Sequence, residues 1–136
     1  MLDNAARRLS LAFAAGGLGG LINSIYVWGS GHLGITQLLG VTIVPTFTPA
    51  WLYPRIVWGG LWGFLLALPL MQKSWVLRGL VFSLAPTAYV FLVIFPSRPE
   101  AGTLGMNFGT LTPLVVLVAN AVWGLAASLW FKITAK

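Results

Sequence analysis

From Leu9 to Trp28 the chain runs for 20 residues without a charged side chain. At 1.5 Å per helical residue such a run covers about 30 Å, the thickness of a bilayer's hydrocarbon core. Arg7 and Arg8 precede it, and no convincing cleavage site follows, so the run reads as a retained signal anchor. Three further apolar stretches of similar length follow, at about Trp51–Met71, Leu77–Phe95 and Pro113–Phe131. Charge, proline or tryptophan flanks each, as suits interfacial anchors. Only 7% of the residues are charged, against about 25% in a soluble domain. Too few charges are present to coat a water-facing surface. The expected fold is all-α, a four-span transmembrane helical bundle in a single integral membrane domain.

Charge placement orients the bundle. With the N-terminus inside, Arg7, Arg8, Lys73, Arg78, Lys132 and Lys136 are cytoplasmic and only Arg55 and Arg98 lie outside. A fifth span through Leu33–Trp51 would divide these cations equally and erase the bias, so four spans with both termini cytoplasmic is the expectation. A bacterial cytoplasmic membrane fits this pattern. The segment Gly29–Ala50 then stays outside, yet it is too apolar for a solvated loop. Short interfacial or re-entrant helices are expected in it and in the second outer connection, Pro96–Thr112. Pro86, in the middle of the third span, predicts a kink.

Two sequence fragments hint at repeated hairpins, at about 9–71 and 77–131. Phe47-Thr48-Pro49 is followed by Val57-Trp58-Gly59, and Leu111-Thr112-Pro113 by Val122-Trp123-Gly124. Such a repeat would place a pseudo-twofold along the membrane normal.

Lipid offers helices no hydrophobic drive to associate, so close backbone approach matters. Gly16 and Gly20 form a GxxxG ridge on the first span, and Gly59 and Gly63 another on the second. Gly79, Ser83 and Thr87 line the third, with Gly124 and Ser128 on the fourth. These faces suit packing within one protomer, against a second copy, or against other membrane subunits. Trp28, Trp51, Trp75 and Trp130 fall at interface depth. Trp58, Trp62 and Trp123 fall deeper, where they could add packing bulk or stack on a ligand.

The residues exclude several kinds of chemistry. Cysteine is absent, which rules out disulfides and thiolate catalysis. The acids are Asp3 and Glu100, both outside the spans, so a carboxylate relay or a paired-carboxylate mechanism is not expected. His32 is the single histidine and lacks the companions of a metal site or catalytic triad. No cofactor, metal or enzymatic activity is expected. The net charge of +6 is dispersed between spans rather than gathered in a stripe, which favours anionic lipid headgroups over nucleic acid as a partner.

The polar residues left for function are few. Asn23, Thr87 and Asn120 are candidates for a polar lining or for interhelical hydrogen bonds. Arg55 could pair with Glu100 at the outer surface or contact an anion.

Phe95-Pro96, Gly102-Thr103-Leu104, Asn107 and the glycine-rich Gly16–Gly20 stretch resemble fragments of the small four-span fluoride-channel family. The family would place the Phe-Pro fragment before its second span, with closer spacing, and adds an arginine after the glycines. This chain has neither feature and shows a clear charge bias, so no residue role is carried over. Two functional readings remain. One is a non-enzymatic membrane protein acting through helix packing, as a homo-oligomer or an accessory subunit. The alternative is a small oligomeric channel or carrier for a neutral or anionic solute.

Overall fold

The computed structural model describes residues 2–136, and among these every regular element is helical. The order is α1 (Leu2–His32), α2 (Ile35–Leu38), α3 (Pro49–Gly63), α4 (Trp75–Tyr89) and α5 (Thr112–Thr134). A 3-10 turn at Phe64–Ala67 prolongs α3, and a π turn at Val90–Ile94 prolongs α4. Three helical segments, Asp3–His32, Trp75–Ile94 and Thr112–Thr134, are long and apolar enough to cross a membrane. The helix α3 has 15 residues, about 22 Å at helical rise, before the chain tightens into its 3-10 turn.

Local chemistry sets the helix starts. The Thr48 hydroxyl accepts from the Trp51 amide, and Pro49 occupies the first turn of α3, where its missing N–H costs nothing. Ser74 likewise caps α4 by accepting from Leu77 N. Pro113 opens α5 in the same way, but Thr112 is already helical and its buried hydroxyl finds no partner. Pro86 cannot donate to the carbonyl one turn behind it. The α geometry nevertheless persists to Tyr89, and the irregularity is the π turn that follows.

The helices α1 and α3 interlock through glycine. A Cβ on Gly16 would lie 2.6 Å from Gly63 Cα, and one on Gly20 would lie 2.6 Å from Arg55 O. The helices α4 and α5 cross at Gly79 and Gly124, where a Cβ on Gly79 would lie 2.6 Å from Gly124 O. Helix α1 also packs along α5. By contrast, α3 and α4 share no extended contact. Side chains bridge them: Trp58 stacks on Tyr89 at 6.0 Å, and Trp62 meets the same ring edge-on at 5.6 Å. A gap lies between the two helices behind these rings.

The two ends of the bundle differ. Ala12, Ala15, Leu66, Phe82, Ala127 and Phe131 form an apolar core toward the end that gathers Arg7, Arg8, Arg78, Lys132 and Lys136. At the other end the connections fold onto each other. Thr42 N donates to Phe108 O at 2.8 Å, and Gly109 lies against the backbone of Gly40 and Val41. The first connection is less helical than its sequence suggested. Helix α1 runs on to His32, α2 is 4 residues long, and residues 41–48 have no regular structure. Pro45 and Pro49 each disfavour helix in the preceding residue, which holds this stretch extended. The second connection is built from 3-10 turns at Pro99–Ala101 and Thr103–Phe108.

Candidate functional site

The gap between α3 and α4 opens into a cavity of about 400 Å³. All four long helices contribute to its wall. Helix α1 supplies Gly20 and Asn23, α3 supplies Arg55, Trp58 and Trp62, α4 supplies Pro86 and Tyr89, and α5 supplies Asn120 and Trp123. Arg98, just beyond the π turn, also lines it. The glycines give the cavity its shape. Gly20 and Gly59 let α1 and α3 touch at the rear, while the absence of an α3–α4 contact leaves the front open.

Arg55 is fixed from three sides. Its Nη2 donates to Asn23 Oδ1 at 2.6 Å and its Nε donates to Ser24 Oγ at 2.9 Å. The guanidinium carbon sits 4.6 Å from the Trp51 ring centroid, a cation–π distance. The Ser24 hydroxyl in turn donates to Gly20 O at 2.7 Å, and the Asn23 amide donates to Ala119 O. Both partners of the guanidinium are neutral, so its charge is positioned but not cancelled. An arginine has five N–H donors, and the two bonds to α1 leave donors over.

Deeper in the cavity, Asn120 Nδ2 donates to Thr87 Oγ1 at 3.0 Å, and Thr87 donates to Ser83 O at 2.8 Å. Trp123, only 4% exposed, forms the floor and donates through Nε1 to Gly16 O at 3.0 Å. Trp58 stands at the front edge, 51% exposed. The cavity thus combines fixed positive charge from Arg55 and Arg98, amide groups from Asn23 and Asn120, and the indoles of Trp58, Trp62 and Trp123. Such a mixture suits a ligand with an anionic group and an apolar body.

The sequence candidates fall into three groups. Asn23, Asn120 and Arg55 line one cavity together, with Gly20 and Gly59 at its rear. Thr87 stands behind the wall as the acceptor for Asn120, while Gly16, Gly63 and Gly124 serve the helix crossings. Glu100 is apart. It is exposed in the Pro99–Ala101 turn, and the partners of Arg55 are Asn23 and Ser24 instead of this acid. The reason is direction: Arg55 points across the bundle to α1, whereas Glu100 sits on the surface of the second connection. Ser24, Tyr89 and Arg98 are site residues that sequence reasoning missed. Ser24 follows Gly20 by four positions and so shares its helix face, which was a usable signal. Nothing local marks Tyr89 or Arg98, whose roles depend on how the hairpins sit together.

Neither known protein families, nor curated proteins, nor solved structures provide a match to this chain. The functional reading therefore rests on the cavity itself.

Proposed function

We propose that this chain is a four-span membrane protein, both ends cytoplasmic, that binds an anionic amphiphile in the cavity between α3 and α4. The observation that carries this reading is the uncancelled Arg55 charge, held by Asn23 and Ser24 over a tryptophan-lined space with an open front. The fourth span is α3 with its 3-10 extension, which runs beside α1 for its whole length. The grouping of Arg7, Arg8, Arg78, Lys132 and Lys136 at one end, with Arg55 and Arg98 at the other, supports the orientation. A bacterial cytoplasmic membrane is the proposed location.

The ligand enters from the bilayer, where the front of the cavity faces. Its charged group meets the arginines at the outer end, and its apolar part lies along Trp58, Trp62 and Tyr89. The packed inner half of the bundle favours a binding protein or carrier over an open pore. The glycine faces also speak for this reading over one based on oligomer contacts, because they are spent on crossings inside the protomer. The role is binding rather than catalysis, since the cavity wall offers arginine, amide and aromatic groups and no carboxylate or histidine.

Native mass spectrometry of the particle extracted in its own lipid tests this. A retained anionic amphiphile, lost in an Arg55→Gln variant that still folds, is the expected result. A particle that carries none, or carries the same load in both forms, would count against the proposal.

A further inference from the structure

The opposite end of the bundle holds a second cluster. Arg8 of α1 and Arg78 of α4 converge on one ring, with guanidinium carbons 5.1 Å and 5.4 Å from the Phe131 centroid. Arg78 is only 7% exposed. Part of each guanidinium has a structural task at the end of the 3-10 turn. Arg78 Nη2 donates to Leu66 O at 2.7 Å and Leu68 O at 2.6 Å, and Arg8 Nε donates to Ala67 O at 3.2 Å. These bonds satisfy carbonyls that a helix end leaves over.

Carbonyl capping does not account for the rest. Arg78 Nε and the Ser128 hydroxyl are buried with no hydrogen-bond partner, and Ser128 is 2% exposed. Both residues line a cavity of about 200 Å³, together with Arg8, Gln72, Trp75 and Lys132. Three cations therefore face one small space, and no carboxylate lines it. Arg78 is buried, Arg8 half-buried and Lys132 exposed, and like charges gathered this way repel unless an anion joins them. A buried hydroxyl and a buried guanidinium N–H without partners each cost stability as well. One tetrahedral oxyanion would neutralise the cluster, and a small turn of the Ser128 and Arg78 side chains would bring their unpartnered donors to it beside Lys132.

We propose that this cavity is a phosphate-binding site at the basic end of the bundle, made by Arg8, Arg78, Ser128 and Lys132. The phosphate is either that of an anionic lipid headgroup or free phosphate in solution. The site stands independently of the outer cavity, from which the packed core separates it.

The test uses the full chain in phosphatidylcholine nanodiscs, with and without added phosphatidylglycerol, and in detergent with inorganic phosphate. Native mass spectrometry reads lipid retention, and thermal melting reads stabilisation by phosphate. Ser128→Ala removes a hydroxyl that has no protein partner, so it leaves the fold intact. It should weaken binding about tenfold, the scale of one hydrogen bond to a charged group. Lys132→Gln should weaken it by a similar factor, and Arg55→Gln should leave the Ser128-dependent part of the binding unchanged. Selective retention of phosphatidylglycerol that depends on Ser128 identifies the headgroup as the source. Melting raised by inorganic phosphate, with the same dependence, identifies the free anion. If wild type and Ser128→Ala respond alike to both probes, or Arg55→Gln abolishes the stabilisation by inorganic phosphate, the proposal is overturned.

Discussion

Alanine at Gly16 and at Gly29 should act in opposite directions, although both glycines lie in α1. At Gly29 a new Cβ meets nothing within 4 Å. The substitution there only removes backbone freedom from the unfolded chain and should stabilise by about 0.5–1 kcal/mol. At Gly16 the same Cβ would sit 2.6 Å from Gly63 Cα and 2.9 Å from Gly63 N. Ordinary contact needs about 3.5–4 Å, so α1 and α3 must part by about 1 Å. Those atoms are backbone, which cannot rotate aside. Overpacking of this kind costs about 1–3 kcal/mol, and its upper half applies here. Subtracting the gain in helix propensity leaves a net loss of about 1–2 kcal/mol. Thermal unfolding in one detergent, followed by circular dichroism, gives both values on one scale. Equal effects at the two sites, or a stabilised Gly16→Ala, would refute the interlocked packing of α1 on α3.

Other outcomes follow from single contacts. Trp123→Phe keeps the ring at the cavity floor but loses the bond from Nε1 to Gly16 O. It should cost about 1 kcal/mol in the same melting assay. Asn120→Ala breaks the bond to Thr87 and should cost about 0.6 kcal/mol, typical of interhelical bonds in membranes. Thr48→Ala removes the cap of α3 and should cost about 1 kcal/mol, whereas Thr112→Val, at a hydroxyl with no partner, should be neutral or stabilising. Because the chain has no cysteine, single cysteines at Lys136 and at the exposed Glu100 can report orientation. A membrane-impermeant thiol reagent applied outside intact cells should label the second and spare the first.

Periodic and compositional signals were legible from sequence, and signals that depend on hairpin placement were not. Apolar runs flanked by charge mark α1, α4 and α5 to within a few residues at most of their ends. The small-residue faces point to where helices cross, because only glycine permits the approach seen at Gly16 and Gly63. The deep tryptophans were separable by position from those at interface depth, and Trp58, Trp62 and Trp123 do line the same cavity. What sequence could not supply is the gap between α3 and α4. It arises because α1 and α5 pack together while the other pair is held apart by aromatic rings, a choice between surfaces of similar composition. The same limit explains Arg55. Formal charge suggested Glu100, but the helix directs the side chain to Asn23 and Ser24. It also explains Arg78, whose position reads as a flanking charge until Arg8, Lys132 and Ser128 are brought to it from distant parts of the chain.

The most direct test of the outer cavity is tryptophan fluorescence in phosphatidylcholine nanodiscs, titrated with dibrominated stearate and with the matching dibrominated alcohol. Bromine quenches indoles at contact, and the two probes differ only in the anionic group. Expected is saturable quenching by the carboxylate alone, with about tenfold weaker affinity in Arg55→Gln and reduced amplitude in Trp58→Ala. Indistinguishable quenching by acid and alcohol, or an Arg55→Gln variant that titrates like wild type, would contradict an anion-selective site between α3 and α4.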